Sequence, residues 1–111
     1  MKIVLSQFAT KQLKSIYNYY AESVSIEKAK GVKRNLLIAI KQLVDFPYLG
    51  QQELLVYSKY ERRYLLVLGY KILYEIVEED IIILDIFHTK QSPTKMYLNE
   101  EPIQYQSTKN I

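Results

Sequence analysis

The 111-residue chain has no cysteine, no tryptophan, a single histidine, three glycines and three prolines. Without cysteine there is neither a disulfide framework nor a cysteine metal site, which suits a reducing compartment. One histidine cannot build a metal centre. The nearby acids Glu78, Glu79 and Asp80 are consecutive in a turn, where side chains fan apart rather than converge. No metal and no cofactor is therefore expected. Long hydrophobic runs are also missing. The longest, Ile81–Phe87, is interrupted by Asp85 and is far too short to span a bilayer. The opening MKIVLSQF is too brief for the apolar region of a signal peptide. These absences predict a cytoplasmic protein with no membrane partner. No internal repeat or low-complexity tract is visible.

Apolar residues make up 49% and charged residues 24% of the chain, enough for one core and too little length for two. Eleven tyrosines stand out against three phenylalanines. Tyrosine fills a core edge while presenting a hydroxyl to water or a ligand. The net charge of +3 is uneven. Residues 1–45 hold eight Lys/Arg against three Asp/Glu, and residues 46–111 hold seven against nine. A basic N-terminal half suits an acidic partner, protein or nucleic acid, although an excess of this size often serves solubility alone.

The hydropathy pattern orders the elements. KIVL at 2–5 reads as a short strand, and Ser6 as a helix cap. Phe8, Ala9, Leu13, Ile16, Tyr17, Tyr20 and Val24 recur at helical steps. Ser25 caps a second helix with the stripe Ala29, Val32, Leu36, Ala39, Ile40 and Leu43, stopped at Asp45-Phe46-Pro47. The link is short enough for an antiparallel hairpin. Pro47–Glu53 reads as a loop, with a short extended piece at Leu54–Val56. Three strands follow at Arg63–Leu68, Tyr70–Val77 and Ile81–Phe87, joined by Gly69 and by Glu78-Glu79-Asp80. Pro93 can start a short helix through Tyr97, and residues 99–111 show no sustained period, as in a mobile tail. The expected fold is α+β: β-α-α-β-β-β, with a two-helix hairpin on a three- to four-stranded antiparallel sheet and a single domain over 1–98. Strand parity places Ile72, Tyr74, Ile76, Ile82, Leu84 and Ile86 toward the helices. Lys71, Leu73, Glu75, Ile83, Asp85 and Phe87 then face away.

The run YERRYLLVLGYKILYEIVEEDIIILDIFHTKQSPTKM resembles the second half of the RelE/ParE superfamily of toxins from type II toxin–antitoxin modules. The resemblance is carried by Arg63-Tyr64, by Gly69-Tyr70-Lys71-Ile72 with Tyr74, by the aliphatic strand, and by His88-Thr89-Lys90-Gln91-Ser92-Pro93. The ending is similar to the ParE-like, plasmid-stabilisation branch. That likeness implies a toxin that inhibits DNA gyrase without catalytic residues of its own. It also implies neutralisation by a cognate antitoxin whose C-terminal segment, often acidic and amphipathic, wraps the toxin. Lys28, Lys30, Lys33, Arg34 and Lys41 would suit such a segment, and Lys33, Arg34, Tyr20 and Lys90 are the candidates for contacting antitoxin or target.

Two other readings remain open: a RelE-like, ribosome-dependent, metal-free mRNA endonuclease, and a non-toxic remnant of the fold. The nuclease needs a base for the ribose 2′-hydroxyl, an acid for the leaving oxygen and cations for the phosphate. Lys71, Arg62, Arg63 and His88 are the candidates. Each also has a structural reading. Arg62 and Arg63 point to opposite faces of one strand and can pair with Glu61, Glu75 or Asp85. Lys71 can pair with Asp85 or Glu75. His88 can close its strand as a half-buried imidazole. Tyr17, Tyr19 and Tyr20 spread around their helix, which suits packing or partner contact better than base stacking. Convergence of the cations and His88 on one open pocket would favour the nuclease. Scatter onto carboxylates would favour the binder.

Overall fold

In the computed structural model, residues 1–54, 58–90 and 108–110 are described. The chain starts with strand β1 (Lys2–Ser6) and helices α1 (Gln7–Ser23) and α2 (Ile26–Lys41). Then come a 3-10 turn at Gln42–Val44 and strands β2 (Gln51–Gln52), β3 (Glu61–Val67), β4 (Tyr70–Val77), β5 (Asp80–His88) and β6 (Thr108–Asn110). The strands form one sheet in the order β2-β3-β4-β5-β1-β6.

Both expected caps are present. Ser6 Oγ accepts from Ala9 N at 3.0 Å, and Ser25 Oγ accepts from Lys28 N at 3.0 Å. Glu27 in the first turn of α2 and Lys41 in its last turn complement the helix dipole. Only Val24 and Ser25 separate the helices, so they return antiparallel, with Ala29, Val32, Leu36 and Ile40 inward. The α+β expectation and the β3-β4-β5 meander hold. The turns are two-residue loops with left-handed backbone at Leu68, Gly69 and Glu78, as tight hairpins require.

The sheet has six strands where three or four were expected, because the short β2 and β6 add to its two edges, and the structure corrects the expected pairing in two further places. First, β1 pairs parallel with β5, so the sheet is mixed rather than wholly antiparallel. Since β1 runs directly into α1, its direction is set by where the helices must lie, not by a hairpin turn. Second, the β4–β5 register shifts between Leu73, opposite Asp85, and Tyr74, opposite Ile83. Leu84 is the extra residue of this bulge, and it reverses the strand's parity. Ile81 and Ile83 therefore join the helix-side core with Ile72 and Tyr74. Ile82 and Leu84 join Val4 and Leu73 on the other face. Beyond the bulge Ile86 is back on the helix side. The expected helix at Pro93–Tyr97 lies outside the described residues, as does most of the stretch Leu54–Val56. Of the expected tail, Thr108–Asn110 pair antiparallel with β1. None of the described helices is long and apolar enough to cross a membrane.

Leu36 is fully buried in the hairpin–sheet core. Leu36→Ala is expected to lower unfolding stability by about 2–5 kcal/mol, through lost transfer energy and the cavity left behind. Urea denaturation would show a reduced midpoint at an unchanged slope.

Candidate functional site

The candidate cations do not gather in one place. Arg62 and Lys71 lie on the sheet face away from the helices, and each is closed by a carboxylate. Arg62 donates to Glu75 Oε2 through Nε at 2.9 Å and Nη2 at 2.6 Å, with both side chains at most 5% exposed. Ser58 Oγ donates to the same oxygen, while Nη1 of Arg62 is buried and has no hydrogen-bond partner among the described residues. Lys71 Nζ meets Glu53 Oε2 at 2.9 Å and sits 4.2 Å from the centre of the Tyr64 ring. Its expected partners were Glu75 or Asp85. Glu53, from the loop before β3, replaces them by folding over the sheet, which strand spacing alone cannot signal.

Arg63 is on the helix side, as its parity requires. It pairs with Glu61, and its Nη1 donates to Gly50 O at 2.6 Å and Tyr48 O at 3.2 Å. The Tyr48 ring lies 5.2 Å from its guanidinium carbon. In register, Arg63 is opposite Tyr74 and His88 is opposite Tyr70. The two are thus separated by about 13 Å along β4, on opposite sides of that strand.

His88 and Lys90 do come together with Tyr20. They line a cleft of about 490 Å³ between α1 and the end of the sheet, with Tyr19, Tyr70 and Gln12. Tyr70 stacks edge-on against His88 at 5.3 Å and shares a long hydroxyl contact with Tyr20 at 3.5 Å. His88 Nδ1 accepts from Lys90 N at 3.1 Å. Its Nε2 would be 3.2 Å from any Cβ at position 69, so Gly69 leaves the room the imidazole occupies. His88 is thus held by the turn and the tyrosine, as in its structural reading. Gln12 extends this seam by donating to Asp85 at 3.2 Å.

Lys33 and Arg34 lie elsewhere, in a second groove of about 400 Å³ along the helical hairpin. There Lys30, Lys33, Arg34 and Lys41 flank Leu37 and Ile38. Lys33 also sits 5.7 Å from the centre of the Tyr17 ring. Sequence reasoning missed Tyr70, Gln12 and Glu53, together with the exposed loop Phe46–Leu49. For the loop a signal existed: FPYL is apolar where a turn is ordinarily polar.

Burial raises the ionisation of Tyr70 well above its usual 10.0, helped by the Tyr20 hydroxyl and the charges of Tyr20 and Tyr19. Burial also raises Tyr74, against a backbone hydrogen bond from Gly50 and the charge of Arg63, which pull the other way. The folded state holds both phenolic protons more tightly than the unfolded chain does. Their stabilisation is complete below pH 10.0 and is lost as pH rises beyond it. Denaturant midpoints should fall as pH rises above 10.0, and Tyr70→Phe should flatten that fall. For the buried pair, Glu75→Ala should cost about 3–5 kcal/mol by stranding Arg62, whereas Arg62→Met with Glu75→Leu should stay near the parent. Urea denaturation of both variants checks this.

Comparison with known proteins agrees with this architecture. A solved structure described as the chromosomal ParDE TA system from P. aeruginosa superposes with a TM-score of 0.68 at 21% identity. The match covers 81% of this chain and 97% of that one, and it supports the fold. No curated protein matches. The model of the family described as ParE toxin of type II toxin-antitoxin system, parDE, matches residues 3–93. That span runs from β1 through the end of the meander and includes every candidate residue above, so the chain belongs to the ParE toxin family of the RelE/ParE superfamily.

Proposed function

We propose that this member of the type II toxin family acts by binding, inhibits DNA gyrase, and is neutralised by a cognate antitoxin. The observation that carries this reading is the dispersal of the cations. Phosphate cleavage needs an acid, a base and cations around one reacting group. Here Arg62 and Lys71 are closed on Glu75 and Glu53 on one face of the sheet. Arg63 is occupied by Glu61 and loop carbonyls, and His88 stands apart in the α1 cleft. A binding protein needs no such convergence. Within this reading Lys33 and Arg34 serve the antitoxin through the helical groove. Tyr20 and Lys90 present the α1 cleft to the target.

The cleft also favours one second reading. It keeps an imidazole, a lysine and tyrosine hydroxyls together, the minimum for a ribosome-dependent mRNA endonuclease. Expression of the chain alone separates the two. Growth arrest with intact transcripts and damaged DNA is expected, and arrest with transcripts cut inside translated codons would refute the gyrase reading. Absence of arrest would refute both and leave a non-toxic remnant of the fold. His88→Gln should arrest growth as fully as the parent, whereas an enzyme using His88 in proton transfer would lose about 10²–10⁴-fold in rate.

A further inference from the structure

Strand β3 is covered along only part of its outer edge. Its partner β2 is two residues long, and the pairing ends at Gln51 opposite Tyr64. The ladder fixes which groups lie beyond that point. Glu53 N donates to Arg62 O at 2.9 Å, so by alternation Arg62, Tyr64 and Leu66 turn their N–H and C=O toward this edge. Continued one step further, the same register would set Leu49 opposite Leu66. Leu49 N donates instead to Phe46 O at 3.1 Å, so the loop turns away before it reaches Leu66. The N–H and C=O of Leu66 therefore have no backbone partner on this side among the described residues.

Open edges are ordinarily blunted by lysine, proline or a bulge. This one reads Leu65-Leu66-Val67-Leu68 and has none of them. The loop that turns away adds Phe46, Tyr48 and Leu49. Together with Leu66 and Leu68, five large apolar side chains border the edge, each 53–62% exposed. Single exposed apolar residues need no explanation, whereas a contiguous set marks a contact surface. The loop is also fixed against β3 from beneath. Tyr74 Oη donates to Pro47 O and accepts from Gly50 N, and a Cβ at Gly50 would stand 2.6 Å from Tyr64 O. A preordered surface of this kind loses little freedom on binding.

The chemistry of the patch selects its occupant. The cations that border it are neutralised, Arg63 by Glu61 and Lys71 by Glu53, so a charged partner of either sign gains little. A strand edge, by contrast, is complementary to itself. Two copies paired antiparallel about a twofold axis each offer what the other needs. With the axis at Leu66, the two Leu66 residues exchange both of their open hydrogen bonds. The two Lys71 side chains, opposite Leu66 on β4, then stay three strand spacings apart, about 14 Å.

We infer that the open edge of β3 and the Phe46–Leu49 loop form a self-association surface, on which two copies of this chain join their sheets through Leu66. Five side chains are few against the ~20–30 residues a side of a stable complex, so the dimer dissociates in the range above ~1 μM. Helix α1 packs on β5, so joining the sheets at β3 leaves each α1 cleft open and sets two of them on one particle. The inference does not rest on the toxin reading.

The test is sedimentation equilibrium on the purified full chain. The mass should rise with concentration from one chain to two and stop there, because a twofold contact closes. Leu66→Lys sets like charges directly opposite each other and should weaken association at least tenfold. Mixed with Leu66→Glu it should recover a mixed dimer, which a misfolded variant could not form. Phe46→Ser with Leu49→Ser should weaken association at least tenfold by a separate route. All these side chains are exposed, so unfolding midpoints of the dilute variants should match the parent. Since the chain has no cysteine, Leu66→Cys carries a single thiol. Its counterpart's Cα would be about 5.5 Å away, within disulfide reach. Mild oxidation should therefore link two copies of Leu66→Cys, and Glu79→Cys in the β4–β5 turn should link far more slowly. A chain that stays monomeric up to ~1 mM overturns the inference, including one whose edge takes up an extended peptide of another protein instead. So does a dimer indifferent to Leu66→Lys, or equal oxidation of the two cysteine variants.

Discussion

Tyr74 lies at the middle of β4 with no exposed surface, and its hydroxyl exchanges hydrogen bonds with Pro47 and Gly50. A phenol buried this deeply must find partners for its oxygen. It finds them in the loop that leaves the helical layer, and so pins that loop to the sheet. The ring packs in the core beneath α2 with Leu36, Ile40 and Ile72, and Arg63 on the adjacent strand completes the clamp. Helical layer, loop and sheet are thus joined at one residue. The orientation of the basic groove relative to the apolar loop follows from that joint.

The two faces of the sheet solve different problems. The helix-side face buries an aliphatic core and opens only at its end, in the cleft of Tyr20, Tyr70 and His88. The opposite face holds its charges as pairs, Arg62 with Glu75 and Lys71 with Glu53. A buried ion pair of this kind adds little net stability over an apolar replacement, yet losing one partner is costly. The charges on that face are therefore held to their present partners, which makes them poor material for gripping a transferred phosphate.

The bulge at Leu84 shows how local geometry redirects chemistry. Simple alternation puts His88 on the helix side, and His88 is there, although by a different route. Alternation also puts Ile82 and Leu84 on that side and Ile83 away from it, and the bulge reverses all three. Ser6 sits at the same level. Its hydroxyl caps α1 and donates to Leu84 O at 3.2 Å, which ties the end of β1 to the bulged strand. The aliphatic run IIIL carries no mark of this, because each of its residues is content on either buried face.

The sequence by itself determined what depends on neighbours along the chain. Helix periodicity, the Ser6 and Ser25 caps, the tight turn at Gly69 and the meander were all legible because each is decided within a few residues. So was the opposite facing of Arg62 and Arg63, which alternation dictates. The tertiary structure alone decided which charge meets which, because side chains of Glu53 and Lys71 are adjacent only after the loop folds over the sheet. It alone decided the parallel entry of β1, the re-phasing of β5, and the gathering of His88, Lys90 and Tyr20 away from the other candidates. Long-range pairing of this sort leaves no periodic trace, since its energy comes from groups far apart in the chain.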